Sequence, residues 1–334
     1  MSRRNAKVAA IVLALAILVV EVILLSWRYE RYDAPDGSAN SASAPKEEPI
    51  RNASDSGDVA PGDPDALPPD GTSSAVLVGA GDIAVCGSGG DEATAKLLDD
   101  VSGTVFTVGD NAYPSGTASE FSDCYDPSWG RHKARTYPSV GNSEYATANA
   151  SGHFDYFGAR AGAPAKGYYS YERGSWHVVV LNSNCSEVSC AAGSGQERWL
   201  KADLAAHPNT CTLAYWHHPL FSSGGNTREV ARFWEVLYAA DTEIVVNGHV
   251  HAYERFAPQR PDGTIDRDEG IREFVVGTGG AGLNPLRYPK PNSQVRERET
   301  HGVLKLTLNP NSYEWRFVPV AGKTFTDAGA TSCH

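Results

Sequence analysis

TVFTVGDNAY, residues 104–113, decides how the rest of the chain is read. Its first five residues are β-branched or aromatic, the composition of a buried strand rather than a helix. The run breaks at Gly109 and then delivers a carboxylate, Asp110, and three residues later a phenol, Tyr113. In open α/β sheets, ligands gather in loops at the carboxyl ends of strands, so an apolar run ending in glycine and oxygen donors predicts such a loop.

The same grammar recurs on both sides. AVLVGAGD (75–82) ends on Asp82, GNSEY (141–145) carries Asn142, TLAYWHHP (212–219) carries His217 and His218, and EIVVNGHVHAYER (243–255) carries His249 and His251. DEATAKLLDD (91–100), QERWLKADLAA (196–206) and REVARFWEVLYAA (228–240) lie between these runs and read as helices. Alternation of strand and helix predicts an α/β fold with largely parallel pairing. Downstream come a strand REFVVGTG (272–279), a glycine-rich loop GGAGLN (279–284) and a hairpin, GVLKLTL and SYEWRFVPV, joined by Asn309, Pro310 and Asn311. No helix follows the glycines, so they read as a flexible loop near the rim of the site rather than a phosphate cradle.

Two carboxylates, a phenol, an amide and three imidazoles make seven donors: Asp82, Asp110, Tyr113, Asn142, His217, His249 and His251. That set is too large for one tetrahedral ion and suits two adjacent ions sharing a carboxylate. Taken singly, each residue has an ordinary structural use, such as a cap, a turn or a strand end. Arriving together at the ends of apolar runs, they predict a dinuclear metallohydrolase.

The motif order GD, GD-x-x-Y, GN, H-x-P, GH-x-H-x-YER resembles that of the calcineurin-like metallophosphoesterases. Tyr113 and the YER after His251 narrow the resemblance to the purple acid phosphatase branch, in its short single-domain form. The resemblance implies a four-layer sandwich of two mixed β-sheets flanked by helices. It also implies that Asp82, Asp110, Tyr113 and His251 hold one ion, with Asp110 bridging to a second held by Asn142, His217 and His249. Phenolate and carboxylate are hard donors suited to ferric iron, whereas imidazole and amide suit zinc, manganese or ferrous iron. Such a centre keeps a net positive charge even with a bridging hydroxide, so it attracts phosphate and carries its own nucleophile. The expected function is hydrolysis of small phosphoesters.

Two positions depart from the family pattern. Relatives carry histidine after the GN asparagine, where this chain has Ser143, and a second outer-sphere histidine where this chain has Asn226. Ser143, Asn226 and His218 are therefore the candidate catalytic side chains, with His153 as a further one. The same replacements keep open a phosphodiesterase of this fold, or a metal- or phosphate-binding relative without turnover.

The amino-terminal residues 1–27 read as a signal anchor. Arg3, Arg4 and Lys7 precede a run from Val8 to Trp27 whose only charged residue is Glu21, and about 20 apolar residues suffice to span a bilayer. This predicts a catalytic domain on the extracytoplasmic side of a membrane, or a secreted one if the anchor is cleaved. Residues 28–74 form an acidic linker rich in Pro, Gly and Ser, expected to be disordered, with nine acidic and two basic residues between Asp33 and Asp70. Residues 75–334 are the catalytic domain. Most of the chain's net charge of −11 sits in the linker, so no nucleic-acid partner is expected. Nothing in the sequence sets the oligomeric state. Six cysteines in an exported domain imply disulfides; Cys86 and Cys124, each following a metal motif, are the expected pair, while Cys185, Cys190, Cys211 and Cys333 are unassigned.

Overall fold

The computed structural model describes residues 74–208, 211–286 and 288–334. The expected anchor, and the expected linker up to residue 73, lie outside the described residues. Among the described residues no helix is long and apolar enough to cross a membrane.

Two mixed sheets carry the structure, and β2 (Ala84–Val85) and β4 (Ala112–Tyr113) form a separate parallel pair. The first contains β1 (Ala75–Ala80), β3 (Thr104–Val108), β5 (Thr136–Ser139), β13 (Gly302–Asn309), β14 (Ser312–Pro319) and β15 (Ala328–Ser332), in the order β15-β14-β13-β1-β3-β5. The second contains β6 (Tyr169–Arg173), β7 (Trp176–Val180), β8 (Thr212–Tyr215), β9 (Thr242–Asn247), β10 (Tyr253–Phe256), β11 (Arg272–Val276) and β12 (Ser293–Glu297), in the order β12-β10-β11-β9-β8-β7-β6. In each sheet a parallel block is flanked by antiparallel strands: β1, β3 and β5 run parallel, as do β7, β8, β9 and β11.

Period-two alternation sets the layers. Val178 and Val180 of β7 join Tyr215, Val246 and Phe274 in the main core with Leu304, Leu306 and Trp315 of the first sheet. Their neighbours Val179 and Leu181 point the other way, onto Leu200, Leu204, Phe233, Trp234 and Leu237 of two helices. These two helices are Gly195–Ala206, where Ser194 caps by accepting from the Glu197 amide, and Ala231–Tyr238. Burying each of these large side chains contributes on the order of 1.5–3 kcal/mol.

The expected helices appear with shifted ends. Asp91–Asp100 is observed as Gly90–Asp99. The helix expected over 228–240 begins as a single 3-10 turn, Arg228–Val230, because the Thr227 amide is drawn onto the Pro219 carbonyl at 2.9 Å and the entry follows that loop. The hairpin has the predicted turn: Asn309 pairs with Ser312 across Pro310 and Asn311. Cys86 and Cys124 are bonded as expected, and the structure adds Cys185–Cys190 and Cys211–Cys333.

Candidate metal centre

Three loops from the first sheet meet two from the second. Asp82 follows β1, Asp110 follows β3 and Asn142 follows β5, three adjacent parallel strands; His217 follows β8, and His249 and His251 follow β9, its neighbour. The loops turn sharply. Asp82, Asp110 and His249 sit at φ of 59°, 50° and 67°, in the left-handed region that costs an L-residue energy and that clusters at functional sites. The preceding glycines make room. A Cβ on Gly109 would lie 2.7 Å from His217 Nδ1, and one on Gly141 would overlap Asp110 Oδ1. The G in GD and GN is thus a packing requirement of the site.

All seven expected donors come together. Tyr113 Oη lies 2.8 Å from Asp82 Oδ1 and 3.1 Å from His251 Nε2, which is 3.2 Å from Asp82. His217 Nε2 lies 3.0 Å from Asn142 Oδ1, 3.3 Å from Asp110 Oδ1 and 3.3 Å from His249 Nδ1. The groups join where the His249 amide donates to Asp82 Oδ2 at 2.8 Å, and where donor atoms of Asp82, Asp110 and His217 all fall within 4.8 Å of one another. His217 and His251 each donate Nδ1–H to a backbone carbonyl, Val108 at 2.8 Å and Gly282 at 2.7 Å, which turns Nε2 inward. A carbonyl behind a ligating imidazole is the usual way its tautomer and direction are held.

The electrostatics fit a cation. Asp82 and Asp110 are both buried, with oxygen atoms within 4.8 Å of each other. Burial works to lower the His251 pKa, but the hydrogen bond and charge of Asp82 outweigh it and lift it to about 9. Burial likewise opposes protonation of His217, and Asp110 and Asp82 raise it nonetheless. Burial and the charges of Asp82 and Asp110 hold the Tyr113 phenol neutral, far above its ordinary value. Without a cation these carboxylates recruit protons; a metal ion supplies that charge and draws out a phenolate. Donor separations near 3 Å also match the edges of coordination polyhedra, about 3 Å for bonds of about 2.0–2.2 Å. Donor chemistry, spacing and charge therefore fit metal.

The outer candidates are placed differently. Ser143 is buried, and both its amide and its hydroxyl donate to Asp110, each at 2.8 Å, so it holds the carboxylate expected to bridge. His218 borders the site, its ring 4.5 Å from that of His249 and its Nδ1 2.8 Å from the Ser183 hydroxyl. Burial, with the charges of His217 and His249, pushes its pKa down to about 2. Asn226 is exposed on the loop that follows Pro219, its Oδ1 accepting from Lys290 Nζ at 3.4 Å. His153, a further candidate, is not brought to the site: it is fully buried among Phe121, Phe154 and Phe157, with neither ring nitrogen bonded to a protein group.

Glu144 is the functional residue that sequence reasoning missed. It is fully buried and accepts from the amides of Asp110, Asn111, Ala112 and Gly141, tying the Asp110 loop to the Asn142 loop. Its position three residues after Gly141 is the signal: the Gly141 amide bond is half of a capping box. The GGAGLN stretch, expected to be flexible, is instead bonded along the site, with the Gly279 amide on Gly81 O and the Ala281 amide on Asp82 O, both at 2.9 Å.

Mixed sheets with this convergent strand-end cluster define an α/β sandwich of the metallophosphoesterase type. The family model of the calcineurin-like phosphoesterases matches residues 75–253, more than half of the chain, and the chain belongs to that family. Purple acid phosphatase 15 of Arabidopsis thaliana is 30% identical over 190 residues, covering 45% of this chain and 35% of the plant protein. Purple acid phosphatase 21 of the same plant is 29% identical over 194 residues, covering 53% and 42%. The chain thus spans well under half the length of these curated relatives. In fold it is similar to the purple acid phosphatase PPD1 from yellow lupin seeds, with a TM-score of 0.67 at 18% identity over 78% of this chain and 54% of that one.

Proposed function

We propose that this protein hydrolyses phosphoesters at a centre of two metal ions, and the observation that carries the reading is the convergence of all seven donors at the strand ends. Asp82, Asp110, Tyr113 and His251 would hold a ferric ion, and Asn142, His217 and His249, with Asp110 shared, a divalent zinc, manganese or iron. When bound, such ions polarise the phosphoryl group and provide a water-derived nucleophile near neutral pH. The protein's own groups keep the donors in register: Val108 and Gly282 carbonyls fix two imidazoles, Ser143 fixes Asp110, and Glu144 clamps the two loops. Membership of the phosphoesterase family and the likeness to plant purple acid phosphatases support this reading. The domain plan proposed with it is an anchor (1–27), a linker (28–74) and a catalytic domain (75–334) on the outer side of a membrane.

One consequence follows from Ser143 and Asn226. A positioned imidazole that protonates the leaving group is commonly worth ~10²–10⁴-fold; a hydroxyl already donating to Asp110 and a carboxamide cannot take that part. Aryl phosphates should be cleaved far faster than alkyl phosphates, with the rate falling steeply as leaving-group pKa rises. Assay of the purified full-length chain against a series of phosphomonoesters and diesters tests this. Equal rates for alkyl and aryl esters would place a leaving-group acid elsewhere, with His218 the next residue to replace, and no turnover with metal fully bound would leave the non-catalytic binding reading.

A further inference from the structure

His218 lies next to His217 in sequence and next to His249 in space. One ring nitrogen from each of these three residues falls within 4.8 Å of the other two. No pair of the rings is stacked. The planes of His217 and His218 cross at 80°, those of His217 and His249 at 77°, and those of His218 and His249 at 47°. Inclined rings, unlike stacked ones, can aim their lone pairs at a common point.

The His218 ring is also held in the manner of two rings already assigned to metal. His217 and His251 each set Nδ1 against a backbone carbonyl. His218 sets Nδ1 against the hydroxyl of buried Ser183, at 2.8 Å. Its backbone is fixed on both sides: the His218 amide donates to the same hydroxyl at 3.0 Å, and the His218 carbonyl accepts from the Trp216 indole N–H at 2.8 Å. A hydroxyl oxygen has two lone pairs and can take both N–H groups, which leaves the His218 lone pair on Nε2. Among the described residues no protein group is bonded to that nitrogen. Ser183 follows β7, the parallel neighbour of β8, so adjacent strand ends supply the hydroxyl and the imidazole it holds.

We infer that His218 is a ligand of the second metal ion, giving that ion the imidazoles of His217, His218 and His249 beside Asn142 and the shared Asp110. This rests on the two-metal reading above and adds a donor to it. A six-coordinate ion would still keep one position for water or phosphate. Imidazole nitrogen suits zinc and iron, whereas manganese suits carboxylate and water oxygen, so the added ring turns the site toward zinc over manganese. Ser183 is the positioning residue, since it accepts Nδ1–H and so turns Nε2 toward the ion.

The test uses the full-length protein with iron in the first site and zinc in the second. X-ray absorption at the zinc edge counts the imidazoles on that ion, and chelator competition measures zinc and manganese affinity. Three imidazoles per zinc are expected in wild type and two in His218→Ala. The wild-type count depends on no substitution. A partner behind a ligating imidazole is commonly worth about 10–100-fold in metal affinity, so Ser183→Ala should weaken zinc binding by about that factor. His218→Ala should weaken it at least as much, with manganese binding weakened less in both variants. Two imidazoles per zinc in wild type, with the second site filled, would overturn the role of His218 and leave the two-metal centre standing. Equal losses of zinc and manganese affinity would remove the preference between the metals. A wild type that binds one ion per chain would overturn the two-metal reading and this role together.

Discussion

At the strand ends His217 and His251 each spend Nδ1 on a backbone carbonyl and turn Nε2 toward a carboxylate. At the edge of the seven-stranded sheet, His177 spends both nitrogens on carboxylates, Glu172 through Nδ1 and Asp203 through Nε2, each at 2.7 Å. His207 stacks on it with ring centroids 3.9 Å apart and planes 15° apart. Both clusters bring imidazoles and acids within reach of a cation. They differ in where the lone pairs point. Stacked rings direct their nitrogens into parallel planes that cannot converge on one ion, and a doubly bonded imidazole has no lone pair to give. The first arrangement is poised for metal, the second is an ion triad that pins β6, β7 and the helix Gly195–Ala206 together. Residue types alone do not separate them; the partner of the second nitrogen does.

The largest effect that would sharpen this contrast is at Asp110, the carboxylate proposed to be shared by both ions. Asp110→Asn removes a shared ligand and a charge together, so metal should be lost from both sites, whereas His249→Ala should empty mainly the second. Unchanged occupancy in Asp110→Asn, measured by elemental analysis, would show that Asp110 bridges nothing. Replacing Glu144 comes next. Glu144→Ala leaves four backbone amides without their acceptor, and a hydrogen bond to a charged group is commonly worth about 1.5–3 kcal/mol. Metal affinity and thermal stability should therefore fall together; stability falling alone would confine Glu144 to the scaffold.

His177→Ala should act on stability alone. Removing the centre of the triad leaves the mostly buried Asp203 without its counter-charge, held by the Ser170 hydroxyl alone, at a cost of about 3 kcal/mol, with metal content untouched. A change in metal content would mean that the two clusters are not distinct. The smallest effect is in pH. Burial would lower the His177 pKa, yet Asp203 and Glu172 raise it to about 9, above the ordinary value near 6.5. Its contribution is then fully present below about pH 6.5 and is lost as pH rises through about 9. The stability gap between wild type and His177→Ala should narrow across that window, and a gap constant from pH 6 to 10 would remove the charged triad.

The donor set was legible in the sequence because metal chemistry shows in residue type, and because six of the seven donors follow a strand whose apolar run is continuous, Asn142 after β5 being the exception. The strands β1, β3, β8, β9 and β11 and the three main helices were readable for the same reason. Shorter or more polar strands were not: β5 is TYPS, with Pro138 inside it, and β12 is SQVRE. The clamp made by Glu144 was hidden because three of its amide partners, Asp110, Asn111 and Ala112, lie 34, 33 and 32 residues away in sequence. His153 was misjudged because an imidazole beside Phe154 and near Phe157 reads equally as core or site, and only packing decides. Likewise, spacing alone could not choose among pairings of the last four cysteines.

Elemental analysis and a visible spectrum of the same purified sample test the central claim most directly. Two ions per chain, one of them iron, with a violet charge-transfer band that Tyr113→Phe bleaches while the fold persists, is the predicted result. One ion per chain would contradict the shared centre, and a fully metallated but colourless wild type would contradict Tyr113 as a ligand of ferric iron.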